Sequence, residues 1–294
     1  MIRNDFNSVD EFCNAPFVNK NNQASSRRKF QSESGVWLRK ATKEADSWNA
    51  RKWFGADNAD QAAARVTKGW PEGAKRLTES MEQIDVDLPM SVRRKLSRGD
   101  QGDELDIHAV YAGNLANAWS RKVRKHTRAP LTVRIVIQTN LLSHMGAQEL
   151  FWRGASAVKL SDLLVAAGYN VEIIGALASS KVDGRQEDFL ATMVLKESLQ
   201  PLDIEQLAGV VCNAGFHRLF GFRAYDALIP WTRVTSDGDE CATNTNGRVL
   251  REANFDADGV MTFMTSYDIT SLEAARKFVA DCCNTLNSQM QEAA

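Results

Sequence analysis

Hydrophobic and polar positions alternate in a way that changes character at Pro130. Leu131–Ile137 reads LTVRIVI, a nearly continuous β-branched run that predicts a strand buried on both faces. Gly146 to Ala167 follows as a helix with its polar positions, Arg153, Ser156, Lys159 and Asp162, in one stripe. Gly168 ends that helix in the manner of a C-cap, and Tyr169–Ala176 (YNVEIIGA) is the next strand. A strand–helix–strand unit of this kind predicts a parallel pair with a right-handed crossover. Phe189–Lys196 (FLATMVLK) reads as a third strand, close enough to pair antiparallel with the second. Asp203 and Gln206 form an N-capping pair for a helix whose apolar face is Ile204, Leu207, Ala208 and Val211. Val260–Thr265 reads as a strand. Thr270 and Glu273 cap a final helix with the stripe Leu272, Ala275, Val279, Cys282 and Leu286, at spacings of 3 and 4.

The first half has a different texture. Residues 1–35 are rich in Asn, Ser, Gln and basic residues and read as a flexible or loosely docked segment. Residues 36–129 read as a mainly helical region. Its pattern is helical from Val36 to Thr78, broken at Gly55 and at the turn Gly69-Trp70-Pro71-Glu72-Gly73, where Pro71 suits a first helical position. Ile84–Gly102 is polar and basic with Pro89 and Gly99 as breakers, and Leu105–Arg124 reads as a short helix. Residues 130–294 form the third unit, an α/β domain with a doubly wound, mostly parallel sheet.

Charge sharpens the division. Residues 1–134 carry 24 Lys/Arg against 17 Asp/Glu, while residues 135–294 carry 12 against 20. A basic half beside an acidic half suggests two units with different partners and favours a polyanion for the first. Five scattered cysteines without a CxxC pair read as reduced thiols. The opening MIRNDFNSVDEF lacks an apolar signal core, and no run approaches the ~18 apolar residues of a membrane span. A cytoplasmic location is the expectation.

The run VRIVIQTN followed by ELFWRGASAVKLSDLLVAAGYNVEIIGA resembles the von Willebrand factor A-type (VWA) domain, especially its chelatase-type and phage-encoded members. The Gly69–Gly73 turn, LFGFR at Leu219–Arg223 and the tail SYDITSLEAARKFVADC are similar to an uncharacterised family of phage proteins. The resemblance implies a VWA-like, Rossmann-like fold and, if phage-encoded, work in the host cytoplasm. It also implies a metal site of the pattern Asp-x-Ser-x-Ser at the end of the first strand, and there the chain departs. Gln138 replaces the carboxylate, Asn140 a hydroxyl and Leu142 another, with Ser143 beyond, and Asp237 lies in the segment resembling the later Asp-bearing loop. Neutral amides do not offset the dehydration of a divalent ion, so the loop reads as a degenerate site without metal.

No GxSxG, Walker A or GxGxxG motif is present, and none of His108, His126, His144 and His217 has metal-ligand spacing. No cofactor and no enzymatic activity are expected. The remaining chemistry is basic and aromatic. Arg93, Arg94, Lys95 and Arg98 form one cluster; Arg121, Lys122, Arg124, Lys125 and Arg128 form another, beginning beside Trp119. Five of the seven tryptophans lie in the basic half. Cations interleaved with π-faces suit single-stranded nucleic acid, whose phosphates need charge and whose unstacked bases need platforms. The expected role is a phage accessory protein that binds single-stranded nucleic acid and recruits a protein partner of a transcription or replication apparatus, such as a polymerase. A VWA-type adaptor for a MoxR- or chelatase-type AAA+ ATPase, without nucleic-acid binding, is the alternative. A third reading is an enzyme using the crevice near Gln138–His144, with a small-molecule ligand there.

Overall fold

The computed structural model describes residues 2–15, 54–86, 94–102, 104–124, 132–141, 147–179, 188–221, 224, 246–253, 255 and 260–292. Strand β1 (Ile2–Phe6) and helix α1 (Val9–Asn14) come first, followed by α2 (Ala59–Thr67) and α3 (Pro71–Glu82). A small unit then runs β2 (Arg94–Gly99), β3 (Glu104–Leu105), α4 (Ile107–Tyr111), a 3-10 turn at Leu115–Asn117 and β4 (Trp119–Arg124). The second half runs β5 (Thr132–Gln138), α5 (Ala147–Ala167), β6 (Asn170–Ser179), β7 (Phe189–Lys196) and α6 (Ile204–Val211). A π-helical segment, Phe216–Gly221, precedes α7 (Asn246–Glu252), β8 (Met261–Met264) and α8 (Leu272–Glu292).

The larger sheet has the order β1-β7-β6-β5-β8. Three of its four pairings are parallel, and only β6 with β7 is antiparallel. Helices cover both faces, as the buried residues show. Val133, Ile135 and Ile137 enter the main core beside Phe151, Leu160 and Val279, while Val136 packs with Ala176, Leu190, Val249 and Leu250 on the other side. The chain is thus an α/β protein with a mostly parallel, doubly wound sheet. β-branched residues suit a strand with no solvent-facing side.

The expected elements of the second half are present with shifted edges. Gly168 has φ +95°, a conformation glycine adopts without a Cβ clash, and Tyr169 N–H closes the helix end on Leu164 O at 3.0 Å. Asp203 Oδ1 accepts from Gln206 N at 2.9 Å. The final helix is capped by Ser271, whose Oγ accepts from Ala274 N at 3.2 Å, rather than by Thr270. The polar stripe of α5 divides: Arg153 and Ser156 are fully buried, Lys159 is half-buried and Asp162 is exposed.

The first half departs further from expectation. The opening residues form an edge strand, with Ile2 opposite Phe189 and Phe6 opposite Met193, and Thr192 Oγ1 donates to Asp5 Oδ1 at 2.6 Å. Phe6, Phe12 and Phe216 continue the contact inward, with centroids 5.3 and 5.6 Å apart. Helices α2 and α3 join the same core through Val66, Trp70 and Leu77, so residue 130 does not separate two cores. At Gly209 a Cβ would meet Arg65 O at 2.1 Å, so only glycine lets α6 approach α2 this closely. The predicted helix Leu105–Arg124 is helical only at Ile107–Tyr111 and in the short 3-10 turn, because its last six residues pair as β4. Among the described residues no helix is long and apolar enough to cross a membrane.

Ile135 is fully buried in a strand paired on both edges. Ile135→Asp would bury an unpaired carboxylate at a cost of several kcal/mol, so expression should give insoluble or unfolded chain. A soluble variant with an unchanged melting curve would contradict the placement of β5.

Candidate functional site

The two basic clusters of the sequence meet in the small antiparallel sheet. β2 pairs with β4 along its length: Arg94 opposite Arg124, Lys95 opposite Val123, Leu96 opposite Lys122, Ser97 opposite Arg121, Arg98 opposite Ser120 and Gly99 opposite Trp119. By strand alternation, positions 94, 98, 122 and 124 share one face of this ribbon, and positions 95, 119 and 121 share the other. Arg98 is exposed and lies 3.6 Å from Asp106 Oδ2, an ion pair too open to water to contribute much. Arg93, Lys125 and Arg128 lie outside the described residues.

Sequence reasoning missed what flanks the ribbon. Leu105, Ile107, Tyr111 and Leu115 are 45, 58, 87 and 64% exposed, in a unit whose helix α4 has no buried residue. Ile107 and Tyr111, four apart, share a helix face, which was the available signal. Trp119, the first residue of β4, is half-buried. Trp70, by contrast, is core: it packs 5.7 Å from Phe151, with the Arg65 guanidinium 4.1 Å from its ring.

A second polar constellation sits where β5 ends. There the neighbours of β5 diverge, since the chain goes to β6 on one side and returns at β8 on the other. Gln138 N donates to Thr265 Oγ1 at 3.1 Å, and Leu141 N donates to His217 Nδ1 at 3.3 Å. Asn140 Oδ1 accepts from Ala178 N at 2.8 Å, so that oxygen is committed to β6. Arg153 Nη1 donates to Gln138 O at 2.8 Å and to Asn140 O at 2.9 Å, and its guanidinium lies 5.3 Å from the Tyr267 ring. Gln138, Asn140, Arg153, His217 and Thr265 are all buried. Burial pulls Arg153 down to about 10, which leaves it charged at neutral pH, and pushes the nearby Cys212 thiol up, which keeps it neutral. Ser143, His144 and Asp237 lie outside the described residues. Among the described residues no three His, Cys, Asp or Glu side chains are grouped to hold a metal.

A family model described as a domain of unknown function, DUF7192, matches residues 1–277. The chain belongs to that family. No curated protein and no solved structure matches it. The match runs from β1 into α8, so the DUF7192 unit takes in both the ribbon and the sheet end.

Burial, with the like charges of Arg218 and Arg153 adding to it, lowers His217 to about 3 from an ordinary 6.5. Between those values the unfolded chain binds the proton that the folded chain refuses. The stability His217 contributes is therefore present above about pH 6.5 and lost as pH falls towards 3. Stability should fall by roughly 1.5–2 kcal/mol between about pH 6.5 and pH 5, and His217→Gln should flatten that slope in urea unfolding curves. Titration with Mg²⁺, Mn²⁺ or Ca²⁺ should give no specific heat, since Gln138 offers a neutral amide and Asn140 Oδ1 is already engaged. A saturable millimolar isotherm would reverse that reading.

Proposed function

We propose that the chain is a non-enzymatic accessory protein that binds single-stranded nucleic acid through the β2–β4 ribbon and recruits a protein partner. The observation that carries this reading is the ribbon's register, which gathers basic positions from both clusters onto two adjacent strands. A spaced row of cations tracks a phosphate backbone, and the exposed Tyr111 ring and Trp119 supply flat apolar surface for unstacked bases. The α/β sheet serves as a VWA-like scaffold. Its strand, helix, strand, antiparallel strand order supports that kinship. The setting is a phage transcription or replication apparatus in the host cytoplasm, with a polymerase as the partner.

A second reading rests on the apolar exposure of Leu105, Ile107, Tyr111 and Leu115, which also suits a protein contact. In that reading the chain is an adaptor for an AAA+ ATPase and ignores nucleic acid.

Fluorescence anisotropy with a labelled single-stranded oligonucleotide separates the two. If four to six phosphates are neutralised, log affinity should fall with log salt at a slope of roughly −3 to −4. Replacing Arg94, Arg98, Lys122 and Arg124 by Gln should weaken binding to every sequence and flatten that slope. Tyr111→Ala removes an exposed ring, so the fold should persist while affinity drops by about 1–3 kcal/mol with the slope unchanged. A chain that ignores oligonucleotides at low salt leaves the adaptor reading.

A further inference from the structure

We infer that the C-terminal end of β5 is a second, independent binding site, an oxyanion cradle built from Arg153 and Gln138 and open to a carboxylate or phosphate group. Arg153 spends Nη1 on the carbonyls of Gln138 and Asn140, but its Nε and Nη2 have no hydrogen-bond partner among the described residues. Gln138 Nε2 is in the same condition. All three atoms are buried N–H donors, and the two on Arg153 form the straight edge of the guanidinium. That edge presents two parallel N–H bonds, a fit for two oxygens of one carboxylate or phosphate.

Pinning the strand end would need only Nη1. An unpaired buried donor costs on the order of 1–3 kcal/mol, and a buried charge without a counter-ion costs more. Glu149, one turn earlier on α5, acts on Arg153 through space less strongly than Tyr267 and Cys212, and does not bond Nε or Nη2. The Tyr267 ring lies by the guanidinium, the Cys212 thiol is neutral, and Arg218 joins Arg153 in repelling a proton from His217. Among the described residues, Arg153 and Arg218 thus stand against the single carboxylate of Glu149 in the charges acting on Arg153 and His217. The position is also where an open α/β sheet forms its crevice, beyond the carboxyl end of the strand at which chain direction reverses.

This site owes nothing to the ribbon, and its test is kept separate. The melting temperature is measured in inorganic phosphate and in acetate, each against chloride of equal ionic strength. Phosphate, acetate or both should raise it by about 2–4 °C per tenfold concentration beyond saturation, and which of them acts names the ligand's acidic group. The ribbon variant with Arg94, Arg98, Lys122 and Arg124 replaced by Gln should keep that response. Arg153→Lys retains a charge without the fork and should lose it at least tenfold in concentration. Because Arg153 also holds the strand end, Gln138→Glu provides a second arm. It supplies an internal carboxylate, and should melt higher than the parent in chloride and no longer respond to phosphate or acetate. Equal melting in all three salts, or an undiminished response in Gln138→Glu, overturns the proposal.

Discussion

Beneath α5, the last residues of the central strand leave the hydrogen-bonding ladder while still buried, and every polar backbone group there needs a partner from elsewhere. The chain answers with side chains from four places. Arg153 on α5 takes the carbonyls of Gln138 and Asn140, and the Thr265 hydroxyl after β8 takes the Gln138 N–H. His217 from the π-helical segment takes the Leu141 N–H, and Asn140 itself reaches across to Ala178 on β6. Each bond offsets a penalty of about 1–3 kcal/mol for an orphaned buried group, so the helix, the π-segment and both neighbouring strands are held in one relation. π-helical turns are uncommon, and here the widened turn delivers an imidazole to the strand end.

The N-terminal half is stitched to that framework rather than appended. β1 lengthens the sheet, three phenylalanines link it to the π-segment, and α2 closes on α6 at Gly209. Arg65 on Trp70 and Arg76 on Phe151, each 4.1 Å from its ring, allow cations to line an apolar seam. What remains outside is the ribbon unit between α3 and β5, with its own small sheet and an exposed apolar helix.

The second half was legible because its signals are local and redundant. The β-branched run of β5, Gly168 at the helix end and the 3-and-4 spacing of α8 each admit one reading. The antiparallel turn-back of β7 followed from a short loop. The ribbon was not legible, because Arg and Lys suit a helix at least as well as a strand, and only the pairing of residues 94–99 with 119–124 decides between them. β1 was hidden for the same reason: IRNDF is polar, and its strand character comes from the edge of β7 that it covers. The sequence places Arg153 in a polar stripe without saying which way that stripe faces. Nothing in ELFWRGASAVKL says that Arg153 and Ser156 are turned inward, since their burial arises from tertiary packing around the first part of α5.

The choice of arginine at that inward position carries its own logic. A lysine could meet the two carbonyls as a point donor, but it would readily lose its proton in so dry a place. A guanidinium stays charged even when burial pulls it to about 10. Its planar shape divides labour, with one nitrogen on the strand end and an edge left over. In a half of the chain with 12 basic residues against 20 acidic ones, Arg153 lies in the interior. The same central strand that excludes water thus ends on a fixed cation, with Nε and Nη2 left over once the strand end is pinned.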